Sequence, residues 1–123
     1  MTTGIGIDVL EIERLERALE RRPALARRVF SEGEIAFASS RRRPGRHLAV
    51  RFAAKEAALK ALGLGGLRLH EIEVEGGGDS APHLRLHGSA RDLAESRGIE
   101  LAVSLSHSRE IATAVVISSP LHN

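Results

Sequence analysis

The stretch RFAAKEAALKALG, Arg51 to Gly63, decides how this chain is read. Apart from Arg51, Lys55, Glu56 and Lys60 it is nearly all alanine and leucine, residues that favour a helix. The pattern predicts a long helix from about Leu48 to Leu62, closed by Gly63 as a C-terminal cap. Ala53, Ala54, Ala57, Ala58 and Ala61 leave its surface open to close approach by another backbone. Glu56 and Lys60 lie four residues apart and so project from one face. An exposed pair of that kind contributes only about 0.2–0.5 kcal/mol. On a helix with so narrow a polar face the pair would be partly desolvated, and would then need a partner or a purpose. Taken alone, the ordinary ion pair is the favoured reading.

Working outward, TGIGIDV (Thr3–Val9) alternates Ile5, Ile7 and Val9 against Gly4, Gly6 and Asp8, a short strand pattern. LEIERLERALERR follows as an amphipathic helix with Ile12, Leu15 and Leu19 on one face. Pro23 suits the first turn of a second short helix reaching Phe30. Ser31 with Glu34 forms a capping-box pattern for a third helix toward Ser39. SSRRRPGRH (Ser39–His47) reads as a loop broken by Pro44 and Gly45. Beyond the central helix, GLGG is a connector. LHEIEVEG and PHLRLHG flank GGDSA as a hairpin. Ser89 to Arg97 is a short helix closed by Gly98. LAVSLSH and IATAVVI form a second hairpin about SRE. No repeat or linker interrupts residues 1–123. The expected fold is a single α+β domain, with an N-terminal strand and helices followed by two antiparallel hairpins packed on a long central helix.

At 123 residues, 42% hydrophobic and 28% charged, the chain has the composition of an ordinary globular domain. The absence of cysteine excludes disulfides, thiolate nucleophiles and cysteine-based zinc sites. No segment approaches the roughly 18 apolar residues of a membrane span, and the N-terminus lacks a secretory pattern. A cytoplasmic protein with no membrane partner is expected. The net charge is +2, yet ten arginines cluster in the first half, from Arg14 to Arg46. That asymmetry suggests an anionic partner, although a solvated arginine-rich surface would have the same composition. Nucleic acid is disfavoured, because aromatic side chains for stacking are almost absent and no reader motif appears.

Asp8 ends an otherwise apolar strand and shares its face with two glycines, which often mark close approach of another group. Read by itself it is a helix cap. His107 follows VSLS at a strand end, with Ser104 and Ser106 together on the opposite face. This arrangement could hold a phosphate, or could be turn chemistry. Neither a GxGxxG before a helix nor a GKS/T loop is present. Ser104, His107 and Asp8 can be assembled into a triad, but no nucleophile-elbow sequence supports it. Two carboxylates without a histidine or cysteine cluster suit Mg²⁺, which takes one or two carboxylates together with substrate phosphates. Lysine and arginine then suit the remaining phosphate oxygens. Asp8, Glu56, Lys60 and Arg51 together have the composition of a diphosphate site.

Three motifs in order, GIGIDVLEIER (Gly4–Arg14), RFAAKEAALKALG (Arg51–Gly63) and VSLSHS (Val103–Ser108), resemble the holo-acyl-carrier-protein synthases, the small 4′-phosphopantetheinyl transferases. The resemblance spans essentially the whole chain. It implies the fold of that family and transfer of phosphopantetheine from coenzyme A to a serine of acyl carrier protein, a step of fatty acid biosynthesis, with release of adenosine 3′,5′-bisphosphate. It implies Asp8 and Glu56 as Mg²⁺ ligands and Lys60 at the diphosphate. Arg51 and His107 would hold coenzyme A, with Gly63, Ser104 and Ser106 among the cofactor-binding positions. Asp8, Glu56, Lys60 and His107 form the implied catalytic set. The serine proton could pass to Glu56, to His107 or to water on the metal, which is favoured. The family's basic first helix receives the acidic carrier protein, here through Arg14, Arg17, Arg21 and Arg22. Family members are homotrimers with sites between subunits. Ser108 departs from the threonine or aspartate common in relatives, and the arginine loop 41–46 is the candidate for the cofactor 3′-phosphate.

Overall fold

Helix-forming alanines and two capping devices set the frame of the computed structural model, which describes residues 4–65 and 68–121. In chain order the elements are β1 (Ile5–Glu11), α1 (Ile12–Arg21), α2 (Leu25–Val29), α3 (Glu32–Ser39) and α4 (Pro44–Leu62). There follow β2 (Ile72–Glu75), β3 (His83–Leu86), α5 (Gly88–Arg97), β4 (Ile99–His107) and β5 (Ile111–Pro120). The capping box at α3 is complete: the Glu34 amide donates to Ser31 Oγ at 3.1 Å, and the Ser31 amide donates to Glu34 Oε1 at 2.8 Å. Gly63 and Gly98 close α4 and α5 with left-handed φ angles of 71° and 62°. Both expected hairpins form, with Glu75 opposite His83 in one and His107 opposite Ala112 in the other.

Several boundaries differ from expectation: Leu69–Glu71 forms a 3₁₀ turn ahead of β2, and β4 and β5 are longer than expected, starting at Ile99 and ending at Pro120. The arginine loop is shorter than its proline and glycine suggest, because Pro44 starts α4 at a position whose missing amide costs nothing. Arg43, just before it, adopts a left-handed φ of 51°, and its guanidinium is held by Glu16 at 3.0 and 3.2 Å. Strand β1 runs on through Glu11, since Leu10 and Glu11 pair with Ala112 and Ile111. Gly66 of the GLGG connector lies outside the described residues.

β1 pairs antiparallel with β5, giving a three-stranded sheet of order β1-β5-β4. One face of this sheet lies on α4, where Ala112, Ala114 and Val116 meet the helix alanines with almost no exposure. The alternation in β1 places its glycines, not its isoleucines, on that inner face. A Cβ at Gly6 would stand 1.8 Å from the Ala57 carbonyl oxygen, and one at Gly4 2.2 Å from that of Ala61. Only glycine permits this contact of strand and helix backbone. Gly6→Ala should therefore lower the unfolding free energy by about 3 kcal/mol in a denaturant titration. Gly33→Ala, whose Cβ would meet nothing closer than 3.8 Å, is the control and should leave stability unchanged or raised. Equal effects of the two substitutions would contradict the close packing.

The consequence is an outer sheet face that is apolar and open. Ile5, Ile7 and Val9 are 67%, 57% and 62% exposed, and their partner Ile117 is also exposed.

α4 is buried almost all round, and two of its charged residues, Arg51 and Lys55, go inside with it. Lys55 is 1% exposed and pairs with Glu34 Oε1 at 2.7 Å, and its ammonium also donates to the Ile72 carbonyl. Burial lowers the lysine's affinity for its proton, and the Glu34 carboxylate opposes that. Glu34 Oε2 accepts from the Val74 amide at 2.8 Å. The pair thus joins α3, α4 and the small β2-β3 sheet at one buried point.

Candidate active site

Asp8 sits mid-strand in β1, and its neighbourhood is set by the backbone contact just described. Because the glycines bring β1 against α4, a side chain two residues further along the same face reaches the helix. Asp8 Oδ1 lies 3.2 Å from Lys60 Nζ, which also donates to the Ile7 carbonyl at 2.9 Å. Thr113 Oγ1 donates to the Asp8 carbonyl at 2.9 Å, fixing the strand there. The capping reading of Asp8 does not hold. The residue before α1 is Glu11, and no side chain caps that helix.

Glu56 lies one turn before Lys60 on α4. Its carboxyl is pushed above the usual carboxylate range, first by burial and then by the charge of Asp8, with Lys60 acting in the opposite sense. Lys60 therefore does not serve as a simple surface partner of Glu56. It reaches across to β1, and the three side chains converge. Asp8 is 19% exposed and Lys60 54%, so the ammonium remains open to a ligand.

The donor set fits a hard cation. Two carboxylates offer only oxygen, and among the described residues no group of three or more histidine, cysteine, aspartate or glutamate side chains is gathered to make a closed cage. An ion held by two carboxylates keeps most positions for water and phosphate, the usual manner of Mg²⁺.

A second cluster surrounds the first half of α4. Arg51, only 3% exposed, donates to the Gly76 carbonyl at 2.7 Å and lies over the Phe37 ring at 4.0 Å. Arg41 lies over the same ring at 4.5 Å. His107, at the end of β4, stands 6.3 Å from the ring of His47. Of the implied cofactor positions, Arg51 and His107 thus fall in one group. Gly63 follows Lys60 at the open end of α4, with nothing within 4 Å of where a Cβ would stand.

Ser104 and Ser106 are exposed on the outer sheet face, with β1's isoleucines rather than with α4. Within one chain they meet neither cluster. Ser108 Oγ accepts from the Glu110 and Ile111 amides at 3.4 and 3.2 Å, so its hydroxyl closes the β4-β5 turn. Arg14, Arg17 and Arg21 lie exposed along α1, with Arg17 paired to Glu13 at 2.5 Å. Two residues of this region escaped the sequence reading, His47 and the buried Lys55. The narrow polar face of the α4 sequence was the available signal for Lys55, whereas His47 is marked only by contacts with Phe37 and His107, remote in sequence.

No helix among the described residues is long and apolar enough to cross a membrane. The chain is similar to known proteins along nearly its whole length. The holo-[acyl-carrier-protein] synthase of Moorella thermoacetica is 48% identical over 115 residues, 91% of this chain and 90% of its own. That of Streptomyces coelicolor is 50% identical over 119 residues, 94% and 95% of the two chains. Among solved structures, the ACPS–CoA complex of Chronobacterium ammoniagenes superposes with a TM-score of 0.84 at 32% identity, covering 99% of this chain and all of that one. The holo-[acyl-carrier-protein] synthase of Helicobacter pylori in complex with coenzyme A gives 0.79 at 32% identity, covering 94% and 99%. The 4′-phosphopantetheinyl transferase superfamily profile matches residues 4–116, a span containing both the Asp8–Glu56–Lys60 convergence and the Arg51–His107 cluster. With fold and sequence in agreement over nearly the full length, this chain belongs to the 4′-phosphopantetheinyl transferase superfamily.

Proposed function

We propose that this chain is a holo-acyl-carrier-protein synthase, a single transferase domain over residues 1–123. It moves the 4′-phosphopantetheine group of coenzyme A to a serine of apo-acyl carrier protein. The observation that carries the reading is the meeting of Asp8, Glu56 and Lys60 from two distant motifs, in a chain that matches such synthases across 90% of their length or more. The carrier's serine oxygen attacks the phosphorus bearing the pantetheine arm. A serine O–P bond forms, the bridging P–O bond of the diphosphate breaks, and its electron pair leaves with adenosine 3′,5′-bisphosphate.

Asp8 and Glu56 would hold Mg²⁺, which when bound neutralises charge on the diphosphate. Lys60 presents a half-exposed ammonium where charge develops on the leaving oxygens. Arg51 and His107 hold coenzyme A at the first half of α4, and Gly63 lets the backbone approach it at the other end. The serine proton leaves through water held at the carboxylate pair. Arg14, Arg17 and Arg21, exposed on α1, steer the acidic carrier protein by their field. A cytoplasmic place in fatty acid biosynthesis follows from that partner.

The working form is a homotrimer with sites between subunits. The support is the open apolar face of Ile5, Ile7, Val9 and Ile117, too contiguous for a monomer surface. Ser104 and Ser106 share this face, so they reach a cofactor only at a neighbouring subunit's edge. Ile7→Glu should convert an assembly of three chains of 13.3 kDa to monomers in sedimentation velocity, and remove transfer with it. An unchanged sedimentation mass would sink the trimer.

The direct test of the activity is intact-mass spectrometry of apo-acyl carrier protein incubated with this protein, coenzyme A and Mg²⁺. A gain of one phosphopantetheine, absent with EDTA, is expected. No gain with several carrier proteins would overturn the reading.

A further inference from the structure

Helix α1 turns Ile12, Leu15 and Leu19 to the core, and its exposed surface divides by charge along its length. Arg14 and Arg21, two turns apart, fall on one flank, and Glu13, Glu16 and Glu20 on the other. Arg17 stands on the crest between them and borders two shallow grooves. One, of about 330 Å³, is lined further by Glu11, Glu13, Arg14 and Arg21. The other, of about 530 Å³, is lined further by Glu13, Glu16, Leu19 and Glu20. Arg17 leans to the acidic side, where its guanidinium donates to Glu13 Oε1 at 2.5 Å. Exposed Glu20 lies one turn beyond Arg17 on that side. Glu16 is already neutralised by Arg43, at 3.0 and 3.2 Å, so Glu13 and Glu20 carry the charge of the flank. Among the described residues neither Arg14 nor Arg21 is in an ion pair.

The side chains of Arg17 and Glu13 are 67% and 66% exposed, and a pair so open to water contributes little to the fold. Its effect falls on what Arg17 can offer to an incoming anion. A carboxylate approaching Arg17 meets a guanidinium already shared with Glu13, in the field of a second acid.

We propose that Glu13 is a positioning residue for carrier-protein recognition, which holds Arg17 back from the partner's carboxylates. The proposal rests on the docking of the carrier protein on α1 given above. Arg14 and Arg21 then form the unrestrained docking pair, and Arg17 engages only where an acid of the partner displaces Glu13. The fitting partner presents acids along the Arg14–Arg21 flank and none opposite Glu13 and Glu20, where like charges repel. A uniformly anionic surface is thereby disfavoured, despite the arginines of the helix.

The test is steady-state transfer to apo-acyl carrier protein at saturating coenzyme A and Mg²⁺, at about 50 mM and about 500 mM salt. Wild type, Glu13→Gln, Arg17→Ala and the double variant are compared, with Arg14→Ala as the control for docking on α1. At low salt Glu13→Gln should lower the KM for carrier protein about threefold, with kcat and the KM for coenzyme A unchanged. High salt should erase the difference. Arg17→Ala should raise that KM less than about twofold in the wild-type background and about fivefold in the Glu13→Gln background. A residue that merely supported the helix would not make the cost of Arg17→Ala depend on position 13. Arg14→Ala should raise the KM about fivefold in either background. Equal costs of Arg17→Ala in the two backgrounds, or an unchanged carrier KM in Glu13→Gln, would overturn the role of Glu13 while leaving the effect of Arg14→Ala in place. A parallel change in the KM for coenzyme A would overturn it as well. No effect of Arg14→Ala would remove docking on α1, and this proposal with it. Wild-type transfer to no carrier protein would remove the transferase reading itself.

Discussion

Glu56→Gln lowers the rate of phosphopantetheine transfer by about three orders of magnitude or more and leaves the protein folded. The loss is of the size that follows removal of a group stabilising charge in a transition state. The accompanying stability change has the opposite sign. In the folded protein burial and Asp8 raise the Glu56 pKa. A carboxyl whose folded pKa is raised binds protons more tightly folded than unfolded, so it weakens the fold as pH rises through that interval and remains unfavourable at neutrality. Replacing the charge with an amide should therefore raise the thermal midpoint. Asp8→Asn should share the loss of transfer. The measurements are initial rates by intact mass and thermal unfolding of the same preparations. Transfer at the wild-type rate would refute the site. A lowered midpoint with lost activity would make Glu56 a structural residue instead.

Lys55→Met destabilises the protein by about 3–5 kcal/mol, because it strands the Glu34 carboxylate in the interior. Glu34 keeps its amide donors from Ser31 and Val74, but these do not replace an ammonium at 2.7 Å. The double variant Lys55→Met with Glu34→Gln should be more stable than the single one, since it removes the orphaned charge. Urea titrations of the four proteins give the coupling directly. A cost below about 1 kcal/mol for Lys55→Met would mean that water or another cation reaches Glu34. The pair anchors β2, and the backbone just beyond β2 holds Arg51 through Gly76, so the same variant should also weaken coenzyme A binding.

Much of the fold was legible because its signals are local. The Ser31–Glu34 box, Gly63, Gly98 and the two hairpins are each encoded within a few residues, where backbone preference and side-chain hydrogen bonding decide the outcome. The start of α4 at Pro44 departs from the expected one for a local reason as well, since a proline can open a helix as well as break a loop. The chemical site was legible as a composition, an acid from one motif with an acid and a lysine from another. Their convergence rests on a contact between elements some fifty residues apart.

The sequence alone determined the elements, the order of the motifs and the residue types available for chemistry. Tertiary structure decided which way each face points. Alternation in β1 separates Ile5, Ile7 and Val9 from Gly4, Gly6 and Asp8, but periodicity does not say which set goes inward. The usual expectation buries the isoleucines. Here the glycines go in, because only they admit the α4 backbone at this distance, and Asp8 is carried with them to Lys60. Lys55 and Lys60 are alike as side chains, yet one is buried against Glu34 and the other open at the site. Their fates depend on which neighbours surround each side of the helix, a property of packing rather than of any short stretch of sequence.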